Sequence, residues 1–291
     1  MAQPNQLRPA GAGGPVKAAS DTCRLSSAKR VRTLWLSDLH LGTTGCQAQH
    51  LLDFLEQYEA ETIYLVGDII DGWQLRRRWV WDPVQHRVLM HFIDAAGRGT
   101  RVIFVPGNHD EFARPFDGMV FAGIVVRREA VHKTVDGRRL LVVHGDQFDG
   151  IVGHARWLAL LGDSLYTSAL WLNRHFNRAR ASLGLGYWSL SQYLKHRVKN
   201  AVSFICDYER ALVEEARRRG VDGVICGHIH KAELREFDGL TYANCGDWVE
   251  SLTALVEWHD GRLSLLAWSD CAAVDAVADT RREQRAVEEV A

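Results

Sequence analysis

Five times along this chain an apolar run ends in a cluster of carboxylate, imidazole or amide side chains: LWLSDLH (34–40), IYLVGDIID (63–71), VIFVPGNHD (102–110), LLVVHGD (140–146) and GVICGHIH (223–230). Any one of these is ordinary. A Gly-Asp after a strand closes turns, and a lone histidine such as His144 is commonly a satisfied structural residue. All five in order, each at the end of a strand candidate, put donors of one chemical class at one edge of a sheet.

The runs between them have a regular rhythm. Strand candidates at 31–37, 62–68 and 101–107 alternate with helical apolar spacing at 48–59 and 83–99. That alternation predicts parallel strands in an α/β domain. Residues 123–146 read as antiparallel, with Asp136-Gly137 as a hairpin turn. Strand patterns return at 222–230, 240–248, 251–259 and 262–268, after a long helical insert at about 150–218. One domain over 31–270 is expected. It is flanked by a Gly-, Ala-, Pro- and Ser-rich disordered arm (1–30) and a charged, Ala-rich tail (271–291) that is flexible or helical.

Composition narrows the class. A hydrophobic share of 47% over 291 residues supports a substantial core, and a net charge of −1 gives no global argument for nucleic acid. The six cysteines form no CxxC pair, which reads as a reduced, cytoplasmic chain. No apolar leader opens the sequence, and the best span candidate, 151–172, is broken by His154, Arg156 and Asp163.

Pooled, the strand-end clusters supply Asp38, His40, Asp68, Asn108, His144, His228 and His230. In an extended chain side chains at i and i+2 point the same way, so Asp38 with His40, and His228 with His230, would each grip from one side. Gly67, Gly107, Gly145 and Gly227 would let backbones crowd around a common point. A mixed N/O set suits Mn(II), Fe or Zn rather than a calcium cage. Seven donors suit two ions sharing a carboxylate. Two dications, two aspartates and a bridging hydroxide leave about +1, which would attract a phosphate ester.

The ordered set D-x-H, G-D, G-N-H-D, H-G-D and G-H-x-H resembles the calcineurin-like metallophosphoesterase superfamily, over Asp38 to His230. The resemblance implies a four-layer α-β-β-α sandwich with two divalent ions at the strand ends. Asp38, His40, Asp68 and His230 would hold one ion, and Asp68, Asn108, His144 and His228 the other. His109 is then free to protonate a leaving oxygen, and Asp110 is expected to orient it.

Within the superfamily, Trp73 after GDIID, the insert after H-G-D and the CGDW segment (245–248) resemble the UDP-2,3-diacylglucosamine hydrolase group of lipid A synthesis. That group cleaves the pyrophosphate of a UDP-linked diacyl sugar to UMP and a lipid monophosphate, typically with Mn²⁺, at the inner face of the membrane. One position departs: the group carries Arg where this chain has His109. The insert adds seven Lys/Arg against one acid over 150–200, with seven aromatics. That composition suits an anionic substrate with an apolar portion or a membrane surface, and equally a packed lid or dimer face. Trp73, Arg156 and Lys199 are the substrate contacts expected there. The Arg76-Arg77-Arg78 run reads as a solvated face or a diphosphate contact. A phosphodiesterase or phosphatase for soluble nucleotides or another headgroup remains the alternative. A non-catalytic scaffold and a nuclease are weaker, since every ligand position is filled and no basic stripe lies outside the insert.

Overall fold

The computed structural model describes residues 28–149 and 190–269, with side chains described over 28–149 and 204–269. The expected tail, the expected arm before residue 28, Arg156 and the rest of 150–189 lie outside the described residues, and so does the side chain of Lys199. In chain order the elements are β1 (Lys29–Leu36), α1 (Ala48–Gln57), β2 (Tyr58–Val66), α2 (Gly72–Arg77), α3 (Pro83–Gly97), β3 (Arg101–Val105), β4 (Val120–Phe121), β5 (Ile124–Val126), β6 (Ala130–Lys133) and β7 (Arg139–Val142). After these come α4 (Leu190–Arg218), β8 (Gly223–Cys226), β9 (Glu233–Phe237), β10 (Leu240–Asn244), β11 (Thr253–Glu257) and β12 (Leu263–Ala267).

A seven-stranded sheet runs β12-β11-β1-β2-β3-β5-β4, and a five-stranded sheet runs β6-β7-β8-β10-β9. In the first, β1, β2, β3 and β5 are parallel; in the second, β7, β8 and β10 are parallel. Central strands are buried on both faces and so read as unbroken apolar runs. Leu34, Leu36, Ile63 and Leu65 pack outward with Leu51, Phe54, Val88 and Phe92 of α1 and α3. Their alternates Trp35, Tyr64 and Val66 pack inward with Leu140, Val142 and Ile225 of the second sheet. The outer face of that sheet packs on Phe204, Tyr208, Leu212 and Ala216 of α4. Four layers result, α-β-β-α.

Two boundaries differ from expectation. β1 begins at Lys29, two residues ahead of the expected domain start. The last part of the region expected as insert is core: Phe204, Tyr208, Leu212 and Ala216 recur every four residues and line one helical face. β9, ELREF, escapes a pattern reading because it is an edge strand with charged residues, the composition that keeps edges from pairing with other chains. α3 starts where its sequence says it should. Asp82 accepts from the N–H groups of Val84 and Gln85 at 2.8 Å, and Pro83 opens the first turn.

A buried carboxylate ties the two sheets together at the end away from the clusters. Glu257 of β11 accepts from Arg32 at 2.6 Å, Thr33 at 3.1 Å and the Val135 N–H at 2.8 Å, and lies 2.8 Å from His132 Nε2. Burial pushes its pKa up, but these partners, His132 first, outweigh burial and hold it below the ordinary glutamate value. Its contribution is therefore complete above the ordinary glutamate range and is lost as pH falls through the lower folded value. Glu257→Ala is expected to cost about 3 kcal/mol in a denaturant titration, because His132, Thr33 and the Val135 N–H lose their acceptor and Arg32 its countercharge.

Candidate metal centre

The parallel strands of both sheets end on one rim. Asp38 and His40 follow β1, Asp68 and Asp71 follow β2, and Asn108 and His109 follow β3; His144 follows β7, and His228 and His230 follow β8. The D-x-H and H-x-H pairs are not extended, contrary to the strand reading of their spacing. Asp38, His40, Asp68, His228 and His230 all have left-handed backbone, with φ between 50° and 74°. The chain has already left the sheet there, and Leu39 and Ile229 between them turn into apolar cores. The segments hold each other instead, through Asp38 N–H to Gly67 O at 3.0 Å and His40 N–H to Asp68 O at 2.9 Å. The expected crowding of glycines is real: a Cβ on Gly107 would run into the Asp68 carboxylate and the His144 ring.

Ligand atoms converge on two points. Around the first, His230 Nε2 lies 3.2 Å from Asp38 Oδ1 and 3.3 Å from His40 Nε2. Around the second, His144 Nε2 lies 3.4 Å from Asp68 Oδ1, and His228 joins them. Asp68 faces both, since its other oxygen is 3.9 Å from His40 Nε2. Separations of roughly 3–3.5 Å are those of donors sharing one ion at bonds of about 2.1 Å. Orientation comes from behind. His144 Nδ1 donates to Val66 O at 3.0 Å, His40 Nδ1 is 3.3 Å from Asp71 Oδ2, and His228 Nε2 is 2.8 Å from Asp149 Oδ1.

The donor set fits divalent ions by a further observation. Asp38 Oδ1, His144 Nε2 and both amide atoms of Asn108 are buried with no hydrogen-bond partner, although opposite charges stand close by. Buried polar atoms are rarely left so; an ion at each convergence would satisfy Asp38 Oδ1, His144 Nε2 and Asn108 Oδ1. Charge tells the same story. Burial opposes a proton on His144 and His230, yet Asp68 and Asp38 outweigh it and lift these rings to about 10 and about 9. Without a cation the carboxylates recruit protons. Loading divalent metal near neutral pH should therefore release about two protons per chain, with affinity rising as pH rises, because ligands must be deprotonated. Calorimetry in buffers of different ionisation enthalpy reads this directly.

His109 stands at the edge of the centre. Its backbone N–H donates to Asp68 Oδ1 at 2.8 Å, and its ring Nε2 is 3.9 Å from Asp68 Oδ2. Its partner is not Asp110, as the sequence suggested, but Asp71, whose Oδ2 makes a close ion-pair contact with His109 Nδ1 at 2.9 Å, off the line of a ring hydrogen bond. Burial lowers the His109 pKa; Asp71 and Asp68 more than reverse that. Asp110 is fully buried and accepts from the N–H groups of Gly107 at 2.6 Å and Ile69 at 2.7 Å, pinning the loops after β3 and β2. Burial and the Asp68 charge push it up to about 6. Asp71 and Asp149 were both missed. The only signal for Asp71 was its place three residues after Asp68, where it also caps α2.

A cavity of about 450 Å³ opens over the centre, lined by the polar groups of His40, Asp68, Asp71, Asn108, His109, His228, His230 and Glu250 and by the apolar side chains of Trp73, Phe204, Ile229 and Val249. The Trp73 ring lies 4.3 Å from that of His109. No helix among the described residues is long and apolar enough to cross a membrane.

Comparison with known proteins finds a family for this chain. The family model of calcineurin-like phosphoesterases matches residues 31–232. A UDP-2,3-diacylglucosamine hydrolase of Chromohalobacter salexigens is 28% identical over 228 residues, covering 74% of this chain and 88% of its own. One from Haemophilus influenzae is 23% identical over 242 residues, covering 78% and 94%. A solved phosphoesterase from E. coli, Yfce, aligns over 81% of this chain and 98% of its own, at 13% identity and a TM-score of 0.39. With candidate metal-ligand clusters at the ends of its parallel strands, this chain belongs to the calcineurin-like phosphoesterase family and is a metal-dependent hydrolase of phosphoric esters or diphosphates.

Proposed function

We propose that this enzyme hydrolyses the diphosphate of a UDP-diacylglucosamine-like lipid nucleotide, giving UMP and a lipid monophosphate. The observation that carries the reading is the cavity: beside the candidate metal-ligand set its lining includes the apolar side chains of Trp73, Phe204, Ile229 and Val249. A wholly polar substrate has no use for those apolar groups. The names of the relatives point to the same substrate.

Asp38, His40, Asp68 and His230 would hold one divalent ion, and Asp68, Asn108, His144 and His228 the other, with Mn²⁺ as the proposed metal and Fe or Zn as alternatives. Bound there, the ions would polarise phosphoryl oxygens and acidify water. The chain's own residues do the rest. Asp71 sets the His109 ring, and Nε2 of that ring, 3.9 Å from Asp68 Oδ2, would hold a proton for the departing oxygen. Trp73 offers a flat apolar face at the mouth. Lys199 and Arg156 are proposed as contacts for the anionic headgroup, and the cytoplasmic face of the inner membrane as the place of action.

A second reading, a phosphoesterase of soluble nucleotides or another headgroup, is favoured by one residue: His109 occupies the position where the hydrolase group carries Arg. Mn²⁺-loaded protein incubated with UDP-2,3-diacylglucosamine and, separately, with UDP-N-acetylglucosamine decides between them. Release of UMP from the acylated compound alone supports the lipid reading. Release from both moves the enzyme to the second.

A further inference from the structure

The rim around the cavity is also where the chain leaves large apolar side chains in water. Trp79 is 74% exposed, Val120 60%, Met119 52% and Phe121 50%, and Phe112, Phe116 and Trp73 are exposed beside them. Single exposed apolar residues mean little; contiguous groups of them mark interaction sites. Those of residues 112–121 lie along one segment that touches α2. The Gly72 N–H donates to His109 O at 3.0 Å, and the Phe112 ring lies 3.1 Å from where a Cβ on Gly72 would stand. Farther along the same segment the rings of Phe116 and Phe121 meet edge to face at 5.5 Å.

The charge beside this ridge is mostly positive. On α2, Arg76 and Arg77 stand one turn from Gly72 and Trp73, and Arg78 follows. All three are exposed, and none has an ion-pair partner among the described residues. Arg127 and Arg128, also exposed, flank the other end, against Glu111 and Asp117 as the acids of the ridge. A second copy of the chain is a poor occupant. An isologous contact would bring like charges together, and β4, two residues long before the turn at Ala122 and Gly123, is too short to template another strand.

The geometry points to a docking surface for an anionic lipid bilayer, formed by Phe112, Phe116, Met119 and Phe121 with the Arg76–Arg78 run, next to the His109 and Trp73 side of the cavity. Aromatic and methionine side chains seat at the headgroup level, while arginines draw on anionic lipids. Docking there sets the mouth at the bilayer surface, so a substrate held by acyl chains reaches the ligand set without leaving the membrane entirely. None of these residues belongs to the 150–218 segment. It rests on the lipid-substrate reading for its purpose, though not for its existence.

The test is flotation of the full, Mn²⁺-loaded chain with vesicles of phosphatidylcholine alone or mixed with phosphatidylglycerol. The wild type is expected to float with the mixed vesicles and to be released by salt. At roughly fivefold per arginine, replacing Arg76, Arg77 and Arg78 with Ser should weaken that partition about 100-fold. Phe116→Ser with Phe121→Ser should weaken it on the order of tenfold or more. Both variants should keep wild-type turnover of a soluble p-nitrophenyl phosphodiester, which shows that they fold. Undiminished flotation of both variants, or no flotation of the wild type, overturns the proposal. So does a wild-type dimer that Phe116→Ser and Phe121→Ser dissociate. The two readings fail separately: cleavage of detergent-dispersed lipid substrate without vesicle binding sinks the surface alone, and vesicle binding without cleavage sinks the substrate alone.

Discussion

Asp68→Ala is expected to lose turnover and metal in the same preparation. Its two oxygens face different clusters, 3.4 Å from His144 Nε2 and 3.9 Å from His40 Nε2, so one truncation unmakes both. The His109 N–H loses its acceptor as well. The loss of activity should exceed the ~10–100-fold typical of removing an outer partner of a ligand. Metal analysis of the purified variant and a far-ultraviolet spectrum suffice: folded protein with little metal is the expected result. Asp68→Asn restores an acceptor for the backbone but not the charge, and should remain metal-poor. Full occupancy of both sites in either variant would remove Asp68 from its bridging role.

His109→Ala should do the opposite, keeping both metals and losing rate. The size of the loss depends on the departing oxygen. An unactivated ester needs a proton on its leaving group, so the loss should be about 10²–10³-fold, within the usual range for a positioned acid. A p-nitrophenyl ester leaves as a stable anion and should be nearly indifferent. Asp71→Asn is expected to reproduce part of this dependence, roughly 10–100-fold, since it holds His109 Nδ1 at 2.9 Å. It should also loosen the metals slightly, because the same oxygen lies 3.3 Å from His40 Nδ1. Full activity of His109→Ala on a poor leaving group would end its assignment as a proton donor.

Much of the fold was legible because buried parallel strands leave unbroken apolar runs, and each of the five ran into its polar cluster at the expected place. What escaped did so for physical reasons. β9 is charged because it is an edge, and the core half of α4 is hidden behind the basic, aromatic stretch that precedes it. At the centre, residue type revealed the donors but not their partners. Asp110 follows His109 directly, yet it turns away to collect backbone N–H groups. Asp71, 38 positions earlier, comes round on the next loop. Proximity in sequence was a poor guide to who orients whom, since the loops meet only once the strands are paired.

The left-handed backbone at Asp38, His40, Asp68, His228 and His230 has a consequence for how this centre can change. Each position proposed to supply a ligand atom must also tolerate a conformation that most side chains resist. Asp, Asn and His are the residues enriched in that conformation, and they are also competent ligands. Cys and Glu would be acceptable to the metal but carry no such tolerance. Any redesign toward a softer ion that writes thiolates into these positions must first rebuild the loops beneath them, so the metal preference of this centre is guarded by its torsion angles as well as by its chemistry.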